Sequence, residues 1–202
     1  MILRYMRPGD VAQVVAIDRL AFSMPWSASS YAYEITDSKY SHMVALELPD
    51  DSDELPDTRG WRRLIRSFAS RDRGRILGYG GLWNIADEAH ISTIATHPDE
   101  RGKGYGEILL AGMIRKSIHL NAAYIVLEVR VGNTVAQNLY RKYEFETVDT
   151  KPNYYRDDNE DAYDMRLDLA KPGVADRFEA RWKELQRQVN FHDFYTHRKP
   201  RY

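Results

Sequence analysis

A glycine-rich segment between a strand pattern and a helix pattern constrains the fold of this chain most. Residues 91–95 are an apolar run typical of a β-strand, and residues 107–120 repeat apolar side chains at helical spacing. Between them stands Arg101-Gly102-Lys103-Gly104-Tyr105-Gly106. Such a turn presents free backbone N–H groups and the positive end of a helix dipole, and glycine lets an anion approach. The segment predicts a pyrophosphate site, with a tight turn carrying two solvated cations as the alternative.

Charge and composition exclude several other kinds of site. The 202 residues carry 29 basic and 30 acidic side chains, so nothing indicates nucleic-acid binding. The absence of cysteine excludes disulfides, thiolate zinc sites and a cysteine acyl-enzyme. The six histidines show no H-x-x-x-H spacing, and no metal site is expected. Because no long apolar run marks a signal peptide or a membrane span, we expect a cytoplasmic protein without a membrane partner.

The order of strand and helix patterns predicts one mixed α/β sheet flanked by helices. Up to residue 170 the order is strand, two helices, three strands, helix, strand, helix and two strands. A polar turn joins the second and third of the three consecutive strands, which indicates a hairpin. The predicted strands are 2–6, 40–48, 75–83, 89–96, 124–130, 145–149 and 162–167.

Two segments extend beyond this pattern. Residues 48–74 join an acidic stretch to a basic and aromatic one, which indicates a long inserted loop, most simply a tolerated surface insertion. Lys171-Pro172-Gly173 marks a boundary, and an amphipathic helix is predicted after it from the apolar stripe Phe178, Trp182, Leu185 and Val189. We therefore divide the chain into a domain over residues 1–170 and a C-terminal helix and tail over residues 171–202.

Several short motifs, in order, resemble the GNAT N-acetyltransferase superfamily, and within it the ribosomal-protein-alanine N-acetyltransferases. Besides the glycine-rich segment, the motifs are Pro25-Trp26-Ser27, Ile94-Ala95-Thr96-His97-Pro98, Leu127-Glu128-Val129-Arg130 with Asn133, Leu139-Tyr140, and Asn153-Tyr154-Tyr155. Each motif alone is modest evidence, whereas their order and spacing together are specific. The resemblance covers about residues 1–170 and implies a GNAT-like, mostly antiparallel central sheet flanked by helices.

The resemblance implies acetyl-CoA as the acetyl donor. Its pyrophosphate would lie on the turn formed by Arg101, Gly102, Lys103, Gly104, Tyr105 and Gly106. The strand residues Ile94, Ala95 and Thr96 would offer backbone hydrogen bonds to the pantetheine arm, and one N–H there would polarise the thioester carbonyl. Asn133 would contact the cofactor near its pantetheine.

Glu128 is the candidate catalytic base. Acetyl transfer needs a neutral amine, and an α-amino group has a pKa near 8 whereas a lysine ε-amine has one near 10.4. At neutral pH roughly a tenth of α-amines are neutral, against well under a thousandth of lysines, so a base acting directly or through one water suffices. The alternative is a structural charge at the end of a strand, paired with a nearby arginine such as Arg130.

Tyr140 is the candidate acid, and three aromatic residues are candidates for binding the acceptor. By the resemblance Tyr140 would protonate, or hydrogen-bond, the leaving thiolate of CoA, and would also contact the cofactor. Trp26, Tyr154 and Tyr155 would wall the acceptor slot, with the two tyrosines in the loop between the last two strands. Ordinary packing is the alternative for all four side chains.

One position departs from the family pattern. The family usually has glycine just before the phenylalanine that follows the Tyr140 helix, and this chain has Glu144. If Glu144 takes a positive φ, the strain costs roughly 1 kcal/mol.

These motifs predict an acetyl-CoA-dependent N-acetyltransferase that works by direct transfer in a ternary complex. A protein N-terminal α-amine is the expected acceptor, with a ribosomal protein as one candidate. The first alternative is a GNAT enzyme that acetylates a small-molecule amine or a lysine. The second is a non-catalytic acyl-CoA-binding regulator, against which the presence of both Glu128 and Tyr140 argues.

Overall fold

The described residues of the computed structural model, 1–49 and 74–196, form one eight-stranded sheet with helices packed against it. The strands are β1 (Ile2–Tyr5), β2 (Val44–Leu48), β3 (Arg75–Ile85), β4 (Glu88–Thr96), β5 (Tyr124–Arg130), β6 (Glu146–Tyr155), β7 (Glu160–Asp168) and β8 (His192–Asp193). The helices are α1 (Val11–Ala21), α2 (Ala28–Thr36), α3 (Tyr105–His119), α4 (Thr134–Lys142) and α5 (Val174–Gln188). The inserted loop predicted at 48–74 lies outside the described residues except at its two ends.

The sheet is mostly antiparallel, in agreement with the predicted fold class. Its strand order is β6-β7-β5-β4-β3-β2-β1-β8, and only the β4–β5 and β1–β8 pairs are parallel. Neighbouring residues of β2 enter different core clusters, Val44 and Leu46 one and Ala45 the other. Because successive strand side chains point to opposite faces, the sheet has a core on each face.

The parallel pair β4–β5 opens after a few residues. Glu88, Ala89 and His90 pair with Tyr124, Ile125 and Val126, and no further pairing joins the two strands in the described residues. On its other side β4 stays paired with β3, with a register shift opposite Gly81 and Leu82 that leaves Ser92 as the extra residue. The two strands therefore enclose a wedge-shaped gap in the middle of the sheet.

The C-terminal segment packs on the rest of the fold. In α5 the predicted stripe is buried at Phe178, Trp182 and Leu185, which belong to the same core cluster as α3. Strand β8, which the sequence pattern does not predict, pairs with β1 at the edge of the sheet. None of the helices in residues 1–49 and 74–196 has the length and apolar content needed to cross a bilayer.

Two sequence-based boundaries were wrong. The strand predicted at 40–48 begins only at Val44. Tyr154 and Tyr155, predicted in a loop, belong to β6, which continues to Tyr155 past a register shift between Lys151 and Tyr155. An irregular ladder of this kind leaves no simple alternation in the sequence for a strand prediction to detect.

Candidate active site

The gap between β4 and β5 opens into a cleft of about 560 Å³. Its walls come from β4, β5, α4 and its N-terminal cap, the end of β6 with the turn after it, and the end of α1 with the segment that leads to α2. Seven residues predicted from the sequence line it together: Trp26, Ile94, Glu128, Asn133, Tyr140, Tyr154 and Tyr155. Ala95, Thr96 and the glycine-rich turn do not line the cleft, although the turn follows directly from β4 and leads into α3.

The glycine-rich turn has the backbone shape that an anion site requires. Gly102 and Gly104 have φ values of 77° and 81°, in the left-handed region that favours glycine. A Cβ atom built on either residue would meet no heavy atom within 4 Å, so the space beside the backbone is open. Gly104 precedes α3 without any side chain capping that helix, and within the described residues the N–H groups of residues 102–104 donate no hydrogen bond. These groups can therefore hold a pyrophosphate.

The two cations of the turn differ in their surroundings. Lys103 Nζ lies 2.7 Å from Glu100, whose carboxylate also binds Arg75 at 2.6 Å. The hydrogen bond to Glu100 raises the pKa of Lys103 above its usual value. Arg101 is exposed and makes no ion pair within residues 1–49 and 74–196. Both cations are exposed, as the alternative of solvated cations expects, but among the described residues Lys103 is paired with Glu100 whereas Arg101 is not.

Glu128 lies in the cleft wall and is held by two donors. His90 Nε2 donates to it at 2.8 Å from β4, and Lys151 Nζ lies 2.6 Å away on β6. Lys151 is fixed in turn by Asp164 of β7 at 3.0 Å. The hydrogen bond from His90, together with Lys151, lowers the pKa of Glu128 from 4.5 to about 2. Glu128 is therefore a persistent carboxylate and a weak base.

Arg130, the partner suggested for Glu128 from the sequence, binds other carboxylates. It forms ion pairs with Asp157 at 2.7 Å, Asp158 at 2.8 Å and Glu160 at 2.9 Å, all around the β6–β7 turn. Its guanidinium also lies 3.9 Å from the ring centroid of Tyr155. Because side chains alternate along a strand, Glu128 and Arg130 lie on the same face of β5, and this spacing suggested that they pair. Their actual partners lie on neighbouring strands that are distant in the sequence. The pairing suggested from the sequence was therefore wrong.

Tyr140 and Asn133 reach the cleft from α4. The Asn133 side chain accepts a hydrogen bond from Ala136 N–H at 3.1 Å, which caps the helix and fixes its first turn. Tyr140 is buried, and burial raises the pKa of its hydroxyl above the usual value. That hydroxyl has no hydrogen-bond partner within the part of the chain that the structure describes. A protonated hydroxyl without a partner, facing a cleft, is available to donate a proton or a hydrogen bond.

The part of the cleft predicted to receive the acceptor has aromatic walls. Trp26 stacks on Trp83 with ring centroids 6.2 Å apart, which fixes the segment between α1 and α2. Tyr154 and Tyr155 contact each other edge to face at 5.2 Å, and Tyr154 is 45% exposed at the rim. A link joins the two sides of the rim, because Ser23 Oγ donates to Asp157 at 2.5 Å.

Three functional candidates were missed from the sequence. Asp18 is 1% exposed, lines the cleft and accepts hydrogen bonds from Trp26 N–H at 2.6 Å and from the Tyr79 hydroxyl. An acidic residue inside the apolar stripe of α1 was the signal that could have revealed it. His90 and Lys151 have no such signal, since only the folded sheet brings them to Glu128.

Comparisons with known proteins agree with this geometry. A family model described as acetyltransferase (GNAT) family matches residues 14–145. The chain belongs to the GNAT acetyltransferase family. It is an acyltransferase, and the family's acetyl donor, acetyl-CoA, fits the open glycine turn beside its cleft.

Individual relatives cover most of the chain. A Bacillus subtilis (strain 168) protein with the provisional name ribosomal protein bS18-alanine N-acetyltransferase is 31% identical over 163 residues, 81% of this chain and 92% of the relative. The N-alpha-acetyltransferase daf-31 of Caenorhabditis elegans is 44% identical over 120 residues, 55% of this chain and 64% of the relative. The crystal structure of the ribosomal-protein-S18-alanine N-acetyltransferase from Escherichia coli superposes with a TM-score of 0.64 at 24% identity, covering 85% of this chain and 95% of that one.

Proposed function

We propose that this enzyme transfers an acetyl group from acetyl-CoA to the N-terminal α-amine of a protein, with a ribosomal protein as one candidate acceptor. One observation carries the proposal: Glu128 and Tyr140 line a single cleft together with the aromatic residues Trp26, Tyr154 and Tyr155. The names of the relatives from Bacillus subtilis and Caenorhabditis elegans, both N-terminal acetyltransferases, support the same acceptor class.

The donor is held mainly by backbone groups. The pyrophosphate lies on the N–H groups of residues 102–106, with Arg101 supplying a cation that is not paired elsewhere in the described residues. The separated part of β4, at residues 94–96, offers backbone hydrogen bonds to the pantetheine arm, and Asn133 lies at the opposite wall. Acetyl-CoA supplies an acetyl group activated as a thioester.

Glu128 acts on the attacking amine. An α-amine needs little help to lose its proton near neutral pH, because its pKa lies near 8. A carboxylate whose pKa is about 2 is a weak base but a persistent negative charge. As the nitrogen attacks it becomes positive, and Glu128 stabilises that charge and accepts the proton directly or through one water. His90 and Lys151 keep this carboxylate ionised and fixed.

Tyr140 acts on the departing sulfur. The bond between sulfur and the acetyl carbon breaks with the electron pair on sulfur, and the Tyr140 hydroxyl donates a proton or a hydrogen bond to it. Burial of Tyr140 keeps its hydroxyl protonated, as this role requires. Since the chain has no cysteine, we propose direct transfer with both substrates bound at once rather than through a cysteine acyl-enzyme.

Thiol release from acetyl-CoA tests the proposal against the two alternatives. We expect release with peptides that begin with a free Ala or Ser, and very little with spermidine or with N-terminally blocked peptides containing lysine. Release mainly with polyamines or blocked peptides would favour a small-amine or lysine acetyltransferase. Tight binding of acetyl-CoA in calorimetry without release to any acceptor would favour a non-catalytic regulator.

A further inference from the structure

The C-terminal turn of α4 ends in a backbone conformation that normally requires glycine. Glu144 has a φ of 67° and stands where the family usually has glycine. Its N–H donates to the Arg141 carbonyl at 2.9 Å, and the Phe145 N–H donates to the Tyr140 carbonyl at 3.1 Å. These two bonds form a Schellman motif in which the left-handed residue is strained unless it is glycine.

Tyr140 takes part in this motif with both its backbone and its ring. Its carbonyl accepts the longer-range bond of the motif, and its ring packs against the ring of Phe145 at a centroid distance of 5.9 Å. A hydrophobic contact between these two positions is a regular feature of Schellman motifs. The conformation of Glu144 is therefore linked to both the backbone and the ring of Tyr140 through this motif.

The C-terminal extension holds Glu144 from outside the motif. Arg177 of α5 binds its carboxylate with two nitrogens, the closer at 2.7 Å, and Arg181 binds it at 2.5 Å. These ion pairs, Arg177 first, lower the pKa of Glu144 to about 2. Helix α5 is itself anchored, because Phe178 and Trp182 are buried and Phe178 packs near Tyr143 with ring centroids 6.2 Å apart.

We propose that Arg177 and Arg181 of the C-terminal extension hold Glu144 in its left-handed conformation and so set Tyr140 for reaction. The extension replaces, through an ion-pair network, what a glycine at position 144 would do by itself. Glu144, Arg177 and Arg181 are positioning residues, since none of them lines the cleft. The inference rests on the proposed role of Tyr140 as the group that acts on the leaving sulfur.

A double-mutant cycle on the full chain tests the inference. The first comparison is between wild type and the Arg177→Gln/Arg181→Gln variant. The second is between Glu144→Gly and the triple variant Glu144→Gly/Arg177→Gln/Arg181→Gln. We expect kcat to fall about fivefold in the first comparison, because Tyr140 loses its fixed position, and by less than about twofold in the second. The KM for acetyl-CoA should change little in either, since the glycine turn precedes α3.

Arg187→Gln is the matched control. Arg187 lies on the same helix and pairs within it, with Glu184 at 2.7 Å, so its loss should leave kcat unchanged. Unchanged kcat in the Arg177→Gln/Arg181→Gln variant, even with a lower melting temperature, would overturn the inference. An equal fall of kcat on both backgrounds would overturn it as well. If the arginine variants give either of these contrary results while Tyr140→Phe is slow, only the inference falls. Wild-type kcat in Tyr140→Phe would overturn the inference together with the role proposed for Tyr140, and would leave the proposed acetyl transfer standing.

Discussion

The region proposed to bind the donor and the region proposed to act on the acceptor, called here the donor side and the acceptor side, use different kinds of chemical group. The donor side offers backbone N–H groups on a turn whose shape depends on Gly102 and Gly104. The acceptor side carries charged side chains that are already paired, as with Glu128 and its partners His90 and Lys151. Donor binding should therefore fail when backbone conformation changes, whereas acceptor chemistry should respond gradually to the loss of single charges.

The largest effect is expected on the donor side. Gly104→Val places a β-branched side chain at a φ of 81° and fills the space where the anion approaches. We expect the affinity for CoA, measured by calorimetry, to fall on the order of 10³-fold while circular dichroism stays native.

Gly173→Val supplies a matched control. Gly173 has a φ of 78° and precedes helix α5, so the substitution imposes the same backbone strain away from the glycine turn, with an added contact between the new Cβ and the end of the Arg177 side chain at 2.8 Å. It should lower stability and leave CoA affinity unchanged. Unaltered CoA affinity in a folded Gly104→Val protein would remove the glycine turn from the donor site.

A smaller loss is expected where the two sides meet, at Tyr140. Tyr140→Phe keeps the ring and removes the proton that we assign to the leaving sulfur. We expect kcat to fall on the order of 10²-fold with nearly unchanged acetyl-CoA binding. Tyr143, the residue that follows the same helix, does not line the cleft, and its hydroxyl donates to Glu107 at 2.9 Å. Tyr143→Phe removes that hydroxyl and should retain kcat. Equal kcat values for the two variants would make Tyr140 a packing residue.

The smallest effect is expected from one charge on the acceptor side. The pKa of Glu128 is lowered to about 2, so its ion pairs stabilise the fold above its ordinary pKa of 4.5, and this stabilisation is lost as the pH falls towards 2. Lys151→Met removes one of the two donors and should raise that pKa, which a carbon-13 NMR titration of the carboxyl measures. The drop in unfolding free energy between pH 4.5 and 2 should shrink correspondingly.

Lys171→Met is the control for this titration. Lys171 pairs with Glu146 at 3.1 Å on the exposed surface, so its removal should leave the pKa of Glu128 unchanged. An ordinary pKa for Glu128 in the wild-type protein would contradict the statement that His90 and Lys151 keep it ionised, and would make Glu128 a stronger base.

The same contrast explains what could be predicted from the sequence. The donor side is built from neighbouring residues: a strand, a glycine turn and a helix follow one another, so spacing and residue type are enough. The strand Tyr124–Arg130 was predicted with its observed limits. Glu144 has the positive φ expected from its place in the motif.

The acceptor side depends on contacts that are distant in the sequence. Glu128 meets His90 and Lys151 only after β4, β5, β7 and β6 have been ordered in the sheet. Strand β8 has only two residues, too few for any periodicity, and its pairing with β1 requires the whole fold. The local sequence pattern therefore predicts which residues surround the site. The pairing of distant strands determines which charged side chains meet there.

Mass spectrometry of one peptide tests the central claim most directly. The peptide begins with a free alanine and carries one internal lysine, so both amines compete for the same acetyl group. Because an α-amine is neutral far more often than a lysine near pH 7, we expect acetyl on the N-terminal nitrogen with a preference on the order of 10²-fold. Acetyl found mainly on the lysine would contradict N-terminal acetylation.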